Sequence, residues 1–203
     1  LVLLDHDYVE LSNLNRQHFF KRDLRRNKAF RLARNLAEHA TCGTRLIGHS
    51  ISLQEALAAG LDLRCSVAVV GVDNDDARIT AARHFSALGI PVVFIAVDMV
   101  AENGYVFVQE SGMACFGCAF PKTLANPREA PCRSPACKDI LKVTAGIALY
   151  AIDSLLMPDR KRGWNYRNVH LAGFAPSNTI RVERRGTCEI CGELTQAAEG
   201  RTV

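Results

Sequence analysis

The sequence predicts a three-layer α/β fold, with parallel strands in the first half of the chain and antiparallel strands in the second. Three observations carry that expectation. Short apolar runs that end in acid, Leu1 to Leu4 before Asp5 and Ser66 to Val72 before Asp73, alternate with helical periodicity. Hairpin and turn chemistry enters only after residue 97. Two Cys-x-x-Cys pairs, Cys115/Cys118 and Cys188/Cys191, punctuate the second half. Runs too short and too uniformly apolar for an amphipathic helix read as strands buried on both faces, the habit of a parallel sheet.

The elements follow in order. After the strand at Leu1 to Leu4, residues to Lys28 are polar and basic. From there Ala29, Leu32, Ala33, Leu36, Ala37 and Ala40 share one helical face, with Arg31, Arg34, Asn35 and Glu38 opposite. Asp23 is placed to cap this helix and Gly43 to follow it. A short strand at 45 to 51 and a helical turn, Ser52 to Ala59, come next. The strand at 66 to 72 leads to a helix capped by Asn74, with Asp75 and Asp76 favourably in its first turn and Gly89 beyond its end. Pro91 to Val97 is a further buried strand, so the order β, α, β, α, β, α, β argues crossovers in a parallel sheet.

Then the pattern changes. Asn103-Gly104 predicts a hairpin with Tyr105 to Val108 as the returning strand. Residues 138 to 157 are apolar on nearly every face, which predicts a buried helix. Stretches 169 to 174 and 179 to 183 flank Pro176-Ser177-Asn178 as an antiparallel pair. No repeat or linker interrupts the chain, so 1–203 reads as a single domain. It begins at Leu1, inside a strand and without an initiator Met, as a fragment lacking an N-terminal piece would.

Composition narrows the function classes. The 203 residues are 48% hydrophobic and 23% charged, enough for one real core. A net charge of +4, with no aromatic-basic interleaving, gives no reason to expect nucleic acid. No apolar stretch would span a bilayer and no signal peptide is present. Paired cysteines favour metal in a reducing cytosol over disulfides, hence a cytoplasmic protein.

The residues with chemistry cluster after the acid-ended strands. Asp5 and Asp73 sit where doubly wound folds hold a nucleotide; one acid can accept from ribose hydroxyls while the other holds magnesium against phosphate. Arg16 and Lys28 offer charge to a polyphosphate leaving group. Each alone has an ordinary explanation as a strand end or solvated side chain; together they point to a nucleotide. The four paired cysteines suit a closed, structural zinc site. Cys42 and Cys65 read as core residues, and His6, His18 and His170 show no partner spacing.

Asp5-His-Asp7, Ser12-Asn-Leu-Asn-Arg-Gln17, Asp23 to Lys28, Val72-Asp73-Asn74 with Arg78, and the two cysteine pairs together resemble the ThiF/MoeB/HesA family. These are Rossmann-like adenylating enzymes that activate ubiquitin-like and sulfur-carrier proteins. The resemblance implies ATP, magnesium and a structural zinc as cofactors. It implies that Asp5 binds the ATP ribose, that Asn13, Arg16, Gln17 and Lys28 contact its phosphates, and that Asp73, beside Asn74, organises magnesium and the attacking carboxylate. The reaction implied is adenylation of a carrier's C-terminal carboxylate, with release of pyrophosphate. The zinc would pin the C-terminal tail to the crossover loop, where the family's acceptor cysteine, when present, also lies: Cys132, with Cys137 the alternative. The implied partner is a small carrier ending in Gly-Gly, and the implied assembly a homodimer or a pairing with a related subunit. The family's glycine-rich loop would precede Leu1, and Arg25 stands where the family's Asp-x-Gly-x-x-Lys has glycine. Two other readings remain: an adenylation-domain homologue that only binds partners, and a nicotinamide-dependent oxidoreductase using Asp5 for the ribose.

Overall fold

A parallel strand pair and its crossover helix build the first of two compact units, Leu1–Asp62; the second is Leu63–Val203. This computed structural model describes residues 1–98, 100–128 and 138–192. In the first unit β1 (Val2–Leu4) pairs in parallel with β2 (Ile47–His49), Val2 opposite Ile47. The crossover is α1 (Lys28–Ala37), followed after β2 by α2 (Leu53–Ala58). Ala29 and Ala33 of α1 are buried. A Cβ on Gly48 would lie 2.6 Å from the backbone of Ala29, so glycine there lets the helix rest directly on the strand. Ser52 and Glu55 cap α2 reciprocally, Ser52 N donating to Glu55 Oε2 at 2.7 Å and Glu55 N to Ser52 Oγ at 3.2 Å.

Four expectations are corrected here. Leu1 and Val2 are 64% and 52% exposed, because α1 covers one face of a two-stranded sheet. Asn27, not Asp23, caps α1, its Oδ1 accepting from Phe30 N at 3.1 Å. Asp23 is instead wholly buried, accepting from Phe20 N at 2.9 Å, Asn35 Nδ2 at 2.8 Å and Arg31 Nε at 2.6 Å. Arg31 and Asn35 therefore turn inward, since a buried carboxylate must be surrounded by donors. Cys42 and Cys65, expected in the core, are exposed.

The second unit is a five-stranded sheet in the order β3 (Ala68–Val70), β4 (Val92–Val97), β5 (Asn103–Gln109), β6 (Tyr166–His170), β7 (Thr179–Ile180). The β3–β4 pair is parallel and the rest are antiparallel. The change from parallel to antiparallel pairing thus comes after β4, where the sequence pattern places it. Helix α3 (Asp75–Ala87) crosses from β3 to β4; Asn74 caps it, Oδ1 accepting from Ala77 N at 2.9 Å. Gly89, at φ 67°, turns the chain beyond it.

The sheet is covered on both faces. Val93, Val106 and Val108 pack with Ala148 and Ala151 of α6 (Lys138–Leu156) and with Trp164. The alternate residues Phe94 and Phe107 stack with each other, Phe94 meeting Phe116 at 4.8 Å and Phe107 meeting Phe120 at 5.9 Å between ring centres. Those partners belong to α4 (Phe116–Ala119) and the residue preceding α5 (Pro121–Ala125). Buried Gln109 links this layer, donating to Ala82 O at 2.9 Å and accepting from Phe116 N at 2.9 Å.

Asn103-Gly104 is not the hairpin turn. Both lie within β5, Gly104 opposite Val97. Ahead of β5 the Asp98 carboxylate accepts from Glu102 N at 3.1 Å and Asn103 N at 3.2 Å. Gly104 serves packing: a Cβ there would collide with Thr144 of α6. Helix α6 is also less enclosed than expected. Ile140, Thr144, Ala148 and Ala151 are buried, but Val143, Leu149 and Leu156 are 41%, 61% and 53% exposed.

The Asp23 network makes a pH prediction. Burial works against the carboxylate, but Asn35, the Phe20 amide and Arg31 outweigh it and hold Asp23 below its usual value. Its contribution is complete above an unfolded value of about 4 and lost as pH falls through the lower folded value. Asp23→Ala should cost about 3 kcal/mol or more at neutral pH, because Arg31 loses its partner. Urea denaturation should show Asp23→Asn declining less than the native chain between pH 5 and pH 3, in values set by the usual carboxylate range.

Candidate functional site

The first unit ends β1 in a loop held by its own side chains. The Asp5 carboxylate accepts from Asp7 N at 2.8 Å. Burial raises the Asp5 carboxyl above its ordinary value, against the pull of that amide and of Lys28. Lys28 Nζ sits 2.7 Å from Asp7 Oδ2, so the lysine is aimed at this loop. Asn27, which the sequence reading passed over, is the fastener: its Nδ2 donates to Asp5 O at 2.7 Å and Asp7 O at 3.0 Å. Its position directly before a helix was the available signal.

Around the Ser-Asn-Leu-Asn-Arg-Gln string, Asn13 is buried and its Oδ1 accepts from Glu10 N at 2.9 Å. Arg16 NH1 donates back to Ser12 O at 3.1 Å, and Gln17 is exposed. The structure therefore gathers Asp5, Asp7, Asn27 and Lys28 directly. Asn13 holds the fold of the following turn, while Arg16 and Gln17 lie at its surface.

Arg25, at the family's glycine position, adopts φ 61°. The left-handed turn that glycine favours is kept by an arginine. Its backbone is tied down, Arg25 N donating to Val9 O at 2.9 Å and Val9 N to Arg26 O at 2.8 Å.

In the second unit Asp73 is exposed at the turn from β3 into α3, directly before the cap Asn74. Arg78 braces this turn: NH2 donates to Val72 O at 2.6 Å and NH1 to Asp75 Oδ1 at 2.7 Å. Asp75 Oδ2 also accepts from Arg128 N at 3.0 Å. His170, which showed no partner spacing in the sequence, bonds Asn103 at 2.5 Å and Asn168 at 2.9 Å. Cys132 and Cys137 lie outside the described residues.

The four paired cysteines converge. Their sulfurs all lie within 4.8 Å of one another. Individual separations are 3.8 Å for Cys115–Cys118, 3.4 Å for Cys115–Cys188 and 3.5 Å for Cys118–Cys191. Disulfide sulfurs would be about 2.05 Å apart, whereas tetrahedral Zn–S bonds of about 2.3 Å put sulfurs about 3.8 Å apart. Burial pushes the Cys115 thiol up; at Cys188 burial is outweighed by the Cys191 and Ile190 amides and the neighbouring thiols, which bring it to about 7. The donor set and spacing fit one zinc, with four protein ligands and no open position.

Comparison with known proteins places this geometry. The ThiF family model matches residues 1–188. The chain belongs to the ThiF family. Its relatives include the adenylyltransferase and sulfurtransferase MOCS3 of Caenorhabditis briggsae, 24% identical over 210 residues, covering 95% of this chain and 48% of that protein. Among solved structures, E. coli MccB with ATP superposes with a TM-score of 0.73 at 18% identity, over 94% of this chain and 58% of that one. PaaA superposes with a TM-score of 0.63 at 15% identity, over 88% and 63%. The ThiF-family likeness to MccB is one of fold, Rossmann-like, and this chain spans about half the length of the curated relative.

Two outcomes follow from this geometry. Arg25→Gly should raise stability by about 1 kcal/mol, because relief of left-handed strain exceeds the added freedom of the unfolded chain; a denaturant midpoint measures it. Elemental analysis should find about one zinc per chain, as for a structural tetrathiolate site, and Cys188→Ser should lose the metal and melt lower.

Proposed function

We propose that this chain is the adenylating domain of an enzyme that uses ATP to activate the C-terminal carboxylate of a small carrier protein or peptide, releasing pyrophosphate. The observation that carries the proposal is the ThiF family match across residues 1–188, joined to a braced loop that holds Asp5 and Lys28. MccB, solved with ATP, and MOCS3, named as an adenylyltransferase, support the same reading.

In this proposal Asp5 receives the ribose hydroxyls. Asn13, Arg16, Gln17 and Lys28 serve the phosphates; Lys28 would exchange part of its hold on Asp7 for phosphate oxygens. Asp73, in the second unit, would hold magnesium, with Asn74 beside it fixing the turn. The carrier's carboxylate attacks the α-phosphorus, the bond to the bridging oxygen breaks, and pyrophosphate leaves with its charge met by Arg16 and Lys28. An acceptor thiol, Cys132 or Cys137, would act only after this step. A carrier ending in Gly-Gly and a cytoplasmic location complete the proposal; no described helix is long and apolar enough to cross a membrane. Leu149 and Leu156, exposed on one side of α6, support a homodimer, which light scattering of the full-length protein would show as twice the chain mass.

The test is exchange of labelled pyrophosphate into ATP by the full-length protein, dependent on its acyl substrate. Asp73→Ala and Arg16→Ala should lower exchange about a hundredfold or more with the fold intact, as loss of a preorganised charge does. Cys132→Ala should leave exchange nearly unchanged. An Asp73→Ala protein exchanging at the native rate would overturn the assignment.

A further inference from the structure

The four converging cysteines raise a charge problem. Four thiolates around one zinc carry a net charge of −2, and such a charge is costly to bury without donors and counter-charges around it. The residues that meet it stand directly before the second cysteine pair, in Arg184-Arg185-Gly-Thr-Cys188.

Arg184 reaches the far cysteine of its own pair. Its guanidinium donates to Cys191 O at 2.5 Å. Arg185 reaches the other pair. Its backbone N–H donates to Cys118 Sγ at 3.3 Å, and its guanidinium donates to Gly117 O at 2.8 Å. Arg185 Nε is buried and has no hydrogen-bond partner among the described residues. A Cβ on Gly117 would lie 3.0 Å from Cys188 Sγ, so the Arg185 contact to Gly117 falls on backbone close to the thiol cluster.

We propose that Arg184 and Arg185 are positioning residues of the metal site: their two guanidinium charges balance the tetrathiolate's −2, and their hydrogen bonds lock one cysteine pair against the other. The proposal rests on the zinc reading above. It extends that reading to residues that touch no metal, as the groups behind metal ligands commonly set affinity by ten- to a hundredfold. It also accounts for two adjacent arginines, Arg184 exposed and Arg185 half-buried, that both bond backbone of the cysteine segments.

The experiment first measures zinc in the native full-length protein, then equilibrates it with a chromophoric chelator across a pH series. Arg184→Gln, Arg185→Gln, the double variant and both lysine variants are compared. Circular dichroism and melting temperature of the zinc-loaded proteins report the fold. The double glutamine variant should bind zinc at least tenfold more weakly, in the range for such supporting groups. It should also release zinc at higher pH, because thiolates without nearby cations take up protons more readily. Lysine should restore most of the release midpoint, as it keeps the charge. A merely structural pair would lower the melting temperature without moving that midpoint. Native protein that holds one zinc, with a double variant matching its affinity and its release midpoint, would overturn the proposal and leave the zinc reading standing. Native protein with intact thiols and no zinc would overturn both.

Discussion

Four cysteine sulfurs brought into one buried cluster are the constraint on which the second unit depends. The pairs are 73 residues apart in sequence, and between them lie α5, α6 and the strands β6 and β7. Closing that span joins the loop after β5 to the stretch beyond β7. It also sets Phe116 among Phe94, Phe107 and Phe120, so the aromatic layer on one face of the sheet forms around the first knuckle. Gln109 carries the same constraint into α3 through its bonds to Phe116 N and Ala82 O. Helix α3 in turn begins at the Asn74 cap, one residue after Asp73.

The first unit is organised by a different principle, buried polar satisfaction. Asp23 has no access to water and is met by four donors from Phe20, Asn35 and Arg31. Asn27 bonds two carbonyls of the β1 loop while capping α1. Together these fix the course of residues 5 to 28, on which the proposed ribose and phosphate contacts are carried. In the proposed reaction such rigidity would serve the chemistry, since charges preorganised beforehand need not reorient during it.

Much of this was legible in the sequence, and the failures have physical causes. The change from parallel to antiparallel pairing after β4, the Asn74 cap and the cysteine convergence were all readable, because each follows from local pattern or from spacing with one chemical meaning. The hairpin turn was misplaced because Asn-Gly ordinarily signals a turn, whereas here Gly104 yields room to Thr144 and the Asp98 carboxylate holds the amides of Glu102 and Asn103. Arg31 and Asn35 were assigned to solvent because helical periodicity sees polarity, not a buried carboxylate twelve residues away from Asn35. The exposed face of α6 escaped because an apolar sequence does not say which faces are covered. Arg25 shows the reverse: at the family's glycine position an arginine adopts the left-handed φ of 61°.

The central claim is the proposal that the loop after β1, at Asp5, takes ATP. Equilibrium titration of the full-length protein with ATP and magnesium, set beside titration with a reduced nicotinamide cofactor, tests it most directly. The account predicts saturable ATP binding that Asp5→Ala weakens at least tenfold, as removal of a charged hydrogen-bond partner does, and no binding of the nicotinamide cofactor. Saturable binding of the nicotinamide cofactor, with none of ATP, would contradict it.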